Sequence, residues 1–324
     1  MKNSKKIFPE KLVKGDTIGI ISPSGPVRDM NFFDRGVNYL KSKGFNVVLA
    51  EHTLTRWYHM SATGQDKAND LNEMFANKSV KAIFPSVGGH TASQMLEFLD
   101  WEVIKNNPKI IFGFSDNAVL VNAINSQTGL VCFHSLCDIM FGFGVFDQGK
   151  LEANGKYTSE QLFKMISDSN PIGEIPKLSS WVIIKSGIAE GDLVGGNLSS
   201  LRSLIGSDYE PDWNNKILFL EDGSEPHRWD QQLGHLYLSK VFNKISGLII
   251  GKGEKAEGFY PENYQPLNEI ILRHFEKINI PIIYHANFGH NVENATLPIG
   301  ALAKIDGNSG TLYVIEGAVS DNKN

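Results

Sequence analysis

The sequence predicts an α/β protein whose first half is built on a parallel sheet. Three observations predict it. Short apolar runs alternate with helix-period segments between residues 17 and 126. These runs stop at glycine or proline punctuation, as at Pro23-Ser-Gly-Pro26, Gly88-Gly89 and Gly113. Residues 301–316 then form a strand-patterned end with no helix of their own.

In chain order, residues 17–22 are an apolar strand closed by the Pro23-Ser24-Gly25-Pro26 turn. Residues 31–43 place Phe33, Val37 and Leu40 on one helical face, and Gly44 stops that helix. A strand follows at 45–49, then a helix at 66–76 with Leu71, Met74 and Phe75 inward. Residues 80–86 are a strand, 93–99 a helix, 109–112 a strand and 116–126 a helix. Helices on both faces of a parallel sheet are the expected result. From about 145 to 180 the periodicity fades, and 159–166 alone reads as helix, so this stretch is expected to connect two domains. The second half holds Gly191-Asp-Leu-Val-Gly-Gly-Asn-Leu-Ser-Ser200, strands at 217–220, 245–250 and 281–284, and helices at 231–241 and 267–275. The expected division is 1–150, a connector at 151–180, and 181–324. There is no tandem repeat.

Composition narrows the function. The chain has 324 residues, 41% hydrophobic and 21% charged, with a formal net charge of −5. That is the balance of a soluble globular enzyme. A mildly acidic chain without a basic block is a poor match for nucleic acid, and Lys2 to Lys6 reads as a solvated terminus. No apolar stretch is long enough to span a membrane, and no signal-peptide run follows the N-terminal lysines. The two cysteines, Cys132 and Cys137, lack zinc-site spacing. They read as buried thiols in a reducing, cytoplasmic setting. No metal or cofactor is expected.

The most informative segment is Ile110-Ile-Phe-Gly-Phe-Ser-Asp-Asn-Ala-Val119. An apolar strand runs through Gly-Phe-Ser-Asp directly into a helix, the layout of a nucleophile elbow at Ser115. The helix N-terminus behind it offers unpaired N–H groups and a positive dipole end, which favour an oxyanion. Asn117 stands where such elbows usually carry a second glycine, so the same residues also fit an ordinary strand–helix turn capped by serine. Among nine histidines, His290 lies in the Gly-flanked loop Asn287-Phe-Gly-His-Asn291 after a strand, where it can reach a cleft. His134 is its rival within the first half. Ile217-Leu-Phe-Leu-Glu-Asp222 ends an apolar strand with two acids, either a solvated turn or the carboxylate that orients a histidine. Gly88-Gly89 permits close backbone approach, as a tight turn or as part of an oxyanion hole.

Taken together, these segments resemble the LD-carboxypeptidase family of serine peptidases, which includes microcin C immunity hydrolases. The resemblance rests on Gly15–Ser24, Val87–His90, Pro108–Asp116, Glu190–Leu198, Ile217–Asp222 and Gly289–Gly300, in family order over nearly the whole chain. It implies Ser115 as nucleophile, His290 as base, Glu221 as its orienter, and oxyanion donors at Gly89 and Asp116; Gly88, whose backbone can approach a substrate closely, is a substrate-binding candidate. It implies a Rossmann-like N-terminal domain and a β-rich C-terminal domain with the active site between them, and a homodimer. Its two substrate classes are a muropeptide ending in D-alanine and a peptidyl- or aminoacyl-nucleotide. Val87-Gly-Gly-His90 departs from the aromatic Gly-Gly-Tyr of the carboxypeptidase branch. Trp181 serves equally to stack on a nucleobase or to pack in the core. Asn197 and Arg228 are candidates for polar substrate groups, arginine suiting a terminal carboxylate. A non-catalytic peptide-binding protein is the reading of another class.

Overall fold

A computed structural model describes residues 5–135, 146–147, 150–151, 153–253, 265–290 and 293–321. Cys137, Leu136 and Ile139 fall outside them.

The first sheet contains β1 (Thr17–Ile21), β2 (Asn46–Leu49), β3 (Val80–Pro85), β4 (Ile110–Gly113) and β5 (Cys132–His134), in the spatial order β5-β4-β3-β1-β2. All four pairings among them are parallel. The chain leaves β1 towards β2 on one side and returns as β3 on the other, so a crevice opens between the carboxyl ends of β1 and β3. Helices α1 (Met30–Ser42), α2 (Gly64–Ala76), α3 (Trp101–Asn106) and α4 (Ala118–Thr128) make the crossovers. Their ends follow local chemistry. The Asp29 carboxylate accepts from Asn31 N at 2.8 Å to start α1. Thr63 Oγ1 accepts from Asp66 N at 3.2 Å to start α2. Gly129, at φ 79°, ends α4.

The second sheet has eight strands. Its centre is β10 (Ile188–Asn197), β11 (Ile217–Glu221), β12 (Gly247–Gly251) and β13 (Ile282–Ala286), all parallel. β9 (Val182–Lys185) flanks β13 antiparallel, while β15 (Leu302–Asp306) flanks β10, β16 (Thr311–Val314) flanks β15 and β8 (Gly173–Glu174) flanks β16; β6 (Phe146–Asp147) and β7 (Lys150–Leu151) pair with each other. β11 and β12 are wholly buried, and their unbroken apolar runs are those of strands covered on both faces.

Several boundaries differ from the sequence expectation. The helix expected at 159–166 runs Ala153–Ser167 and packs into the first half, where Phe163 stacks on Phe45 with ring centroids 5.8 Å apart. That amphipathic face was hidden because its partners lie far away in sequence. The helix expected from 231 begins at Pro226, whose fixed φ and missing N–H suit a first turn. Residues 93–99 form a 3₁₀ segment, Ala92–Phe98. Helix α3, unexpected from periodicity, is too short for a repeating face but is capped by Asp100, which accepts from Val103 N at 2.9 Å. β14 (Leu297–Ile299) comes from the second half of the chain yet pairs antiparallel with β5 in the first sheet.

The two sheets meet where β10 lies against α4. Asn122 Nδ2 donates to Gly195 O at 2.8 Å, and Asn122 Oδ1 accepts from Gly195 N at 3.3 Å. A Cβ on Gly196 would come within 2.8 Å of Ala118 Cβ, so glycine is what lets strand and helix approach.

Candidate active site

Ser115 follows β4 with φ 55°, in the left-handed region that L-residues avoid. The turn lifts its side chain off the sheet edge, and a short 3₁₀ turn, Ser115–Asn117, leads into α4. Gly88 makes room for it, because a Cβ there would sit 2.8 Å from Ser115 Cβ and 3.0 Å from its Oγ. Ser115 is half-buried.

The second sheet supplies the partners. Ser115 Oγ and His290 Nε2 are 3.1 Å apart, and His290 Nδ1 and Glu221 Oε2 are 2.5 Å apart. Ser115, His290 and Glu221 therefore form one hydrogen-bonded chain across the junction of the two sheets. Glu221 ends β11 with no exposed surface. Burial opposes its charge, but His290 first, and then the Asn197 amide, hold its pKa below the ordinary glutamate range. The His290 ring packs on Phe114 with centroids 4.7 Å apart. Its loop is braced. Asn294 Nδ2 donates to Gly289 O at 2.6 Å, Asn287 Nδ2 donates to Glu293 Oε1 at 2.9 Å, and Lys252 pairs with Glu293.

Gly89 follows β3, and Asp116 follows Ser115 after β4. Among the described residues, the backbone N–H groups of both lack a hydrogen-bond acceptor. The Asp116 carboxylate points the other way, where Oδ2 accepts from Ser24 Oγ at 2.5 Å and from Ala92 N at 2.8 Å.

The remaining candidates sit elsewhere. Trp181 is 7% exposed, and its indole Nε1 donates to Asn287 Oδ1 at 2.7 Å, so it packs behind the His290 loop. Asn197 is buried, caps the short helix Leu198–Leu201 by accepting from Ser200 N at 3.1 Å, and pairs in register with Glu221. Arg228 is exposed on the Pro226–Leu238 helix, with Nη1 3.4 Å from Gln231 Oε1. His134, the rival base, is fully buried beneath Phe114 and Phe219; burial lowers its pKa to about 4, with His290 also lowering and Glu221 opposing. It is a neutral interior imidazole, out of reach of solvent. Burial also pushes the Cys132 thiol up, so this cysteine is inert.

Sequence reasoning missed Ser24, Lys67 and Thr91, which pack behind the Gly88-Gly89 turn. Ser24 had one signal, its place in the turn after β1. Lys67 had none, being one lysine in a polar helix. Among the described residues, no cluster of His, Cys, Asp and Glu is arranged to hold a metal ion. No helix there is long and apolar enough to cross a membrane.

Comparison with known proteins decides the family. The LD-carboxypeptidase N-terminal domain matches residues 18–135, and the LD-carboxypeptidase C-terminal domain matches residues 190–305. The chain belongs to the LD-carboxypeptidase family. It is a hydrolase of the serine carboxypeptidase type. It is 31% identical to the putative carboxypeptidase YocD of Bacillus subtilis, over 94% of this chain and 98% of that one. It is equally, 31%, identical to the microcin C7 self-immunity protein MccF of Escherichia coli, over the full length of both. The solved structure of MccF in complex with aspartyl sulfamoyl adenosine superposes with a TM-score of 0.89 at 28% identity, covering 97% of this family member and all of that chain.

Proposed function

We propose that this protein is an LD-carboxypeptidase that removes a terminal D-alanine from muropeptides, with Ser115 as nucleophile, His290 as general base and Glu221 as orienter. The observation that carries it is the Ser115–His290–Glu221 hydrogen-bonded chain on a serine held at positive φ.

In this reading His290 Nδ1–H donates to Glu221, which makes Nε2 the nitrogen that accepts the Ser115 proton. Ser115 Oγ attacks the amide carbonyl. The N–H groups of Gly89 and Asp116 receive the oxyanion, with a worth of about a hundredfold or more in turnover for each donor. His290 then protonates the leaving amine, and water, activated by the same imidazole, releases the acyl group from Ser115. The substrate is a small peptide; the homodimer implied by the resemblance and the cytoplasmic setting expected from the cysteines belong to the same reading.

The engagement of Trp181 with Asn287 favours the muropeptide, because that indole was the residue offered to a nucleobase. The full-length likeness to MccF favours a second reading, hydrolysis of an aminoacyl-nucleotide. The test is to incubate the protein and its Ser115→Ala variant with a muramoyl tetrapeptide ending in D-alanine and, separately, with an aminoacyl sulfamoyl adenosine. Release of D-alanine by the native protein alone supports the carboxypeptidase. Release of the amino acid from the nucleotide moves the protein to the second reading. Cleavage of neither points to a binding role, and undiminished cleavage by Ser115→Ala removes Ser115 from the mechanism.

A further inference from the structure

Behind the Gly88-Gly89 turn lies a buried polar relay that the mechanism above does not use. Lys67, on α2, is 1% exposed. Its ammonium donates to Thr91 O at 2.9 Å and to Thr91 Oγ1 at 3.1 Å. Thr91 N donates to Ser24 Oγ at 3.1 Å, and Ser24 Oγ donates to Asp116 Oδ2 at 2.5 Å. Ala92 N reaches the same carboxylate oxygen at 2.8 Å. Gly25 N donates to Gly88 O at 3.0 Å, and a Cβ on Gly89 would lie 2.4 Å from Ser24 Oγ. The turns after β1, β3 and β4 are thus locked on one another, and the side chains of Ser24, Lys67, Thr91 and Asp116 that join them are all buried.

We propose that Lys67 is a positioning residue for the oxyanion-binding turn, acting through Thr91, Ser24 and Asp116; this rests on the reading of Ser115 as nucleophile. Two physical facts support it. A buried ammonium and a buried carboxylate are each costly alone, and here each compensates the other across Thr91 and the Ser24 hydroxyl. The backbone N–H groups assigned to the oxyanion belong to Gly89, two residues before Thr91, and to Asp116 itself. A shift of Thr91 or of the Asp116 carboxylate therefore moves a donor directly. Such donors act by pre-set geometry, so displacement costs turnover rather than substrate binding. Burial lowers the Lys67 pKa to about 8, with the Asp116 charge opposing, as expected of an ammonium held by a carbonyl and a hydroxyl instead of by a direct carboxylate partner.

The experiment compares native protein, Lys67→Met, Lys67→Arg and Ser24→Ala, each first checked for native circular dichroism and for melting above the assay temperature. Two readouts are taken: kcat and KM on whichever substrate the native protein cleaves, and the second-order rate of Ser115 labelling by a fluorophosphonate. Labelling needs the serine and the oxyanion donors but no knowledge of the natural substrate. Lys67→Met is expected to lower kcat and labelling together by about tenfold to a hundredfold with KM nearly unchanged. Lys67→Arg, which keeps charge and donors, recovers most of the loss. If Lys67→Met does not fold, Ser24→Ala carries the test, since it cuts the relay and leaves both charges in place. A folded Lys67→Met or Ser24→Ala protein with native labelling rate and native kcat overturns the proposal, as does a loss confined to KM. Failure of the underlying reading looks different: Ser115→Ala would then still be labelled or still turn over.

Discussion

His290 Nδ1 lies 2.5 Å from Glu221 Oε2, and that carboxylate has no exposed surface at all. The pair joins residues 69 positions apart, one at the end of β11 and one in the loop after β13. A buried carboxylate in this position fixes which ring nitrogen carries the proton, and so decides whether Nε2 can serve Ser115.

Replacing Glu221 by Gln keeps the volume but removes the charge, and the amide can present its N–H to the ring and reverse the tautomer. A loss of about 10³–10⁴ in kcat with a small change in KM is expected from steady-state kinetics.

Ser115 stores backbone strain at φ 55°. Alanine there keeps the strain, whereas glycine adopts positive φ freely. Ser115→Gly should therefore be more stable than Ser115→Ala by about 1 kcal/mol, after the entropy that glycine gains in the unfolded chain. Urea unfolding of the two variants measures the difference.

His134 links stability to pH. Burial lowers its folded pKa to about 4, against an unfolded value of 6.5. Between these values the unfolded chain binds a proton that the folded chain refuses, so stability falls as pH drops through that window. The loss from this one group is on the order of 3 kcal/mol by pH 4. His134→Phe, which keeps an aromatic ring against Phe114 and Phe219, should flatten the decline between pH 6.5 and 4 in denaturant midpoints. Glu221 adds a second slope at lower pH. Its depressed pKa contributes stability present above the ordinary glutamate value and lost as pH falls through the folded one.

Trp181→Phe removes the indole donor and leaves Asn287 Oδ1 with its bond from Leu178 N at 3.1 Å. The expected cost is about 1 kcal/mol of stability, read by thermal melting. Because Asn287 leads into the His290 loop, kcat should fall as well. KM for an aminoacyl sulfamoyl adenosine should stay unchanged, and a large rise in that KM would return Trp181 to the substrate.

Much of the site was readable because its signals are local. Ser115 announces itself by an apolar strand, a glycine two residues earlier and a helix directly after, all within ten residues. Glu221 and His290 each sit at the end of an apolar run, where an α/β sheet presents its functional groups. The strands and helices of the first half were legible for the same reason, since a periodicity of two or 3.6 needs only a short window. Lys67 was not legible, and of the Ala153–Ser167 helix only 159–166 was, because nothing beside them in sequence tells that their partners are Thr91 and Phe45.

The sequence by itself determined the alternating α/β architecture, the turn that lifts Ser115 and the family pattern, since each depends on residues within one or two elements. Only the tertiary structure decided that His290, 175 positions from Ser115, meets it while His134 does not. It alone decided that Trp181 faces Asn287 and that β14 crosses to the first sheet. The physical reason is that pairing between distant segments is set by how buried faces and register fit together, and burial then fixes which histidine stays neutral and which can take a proton.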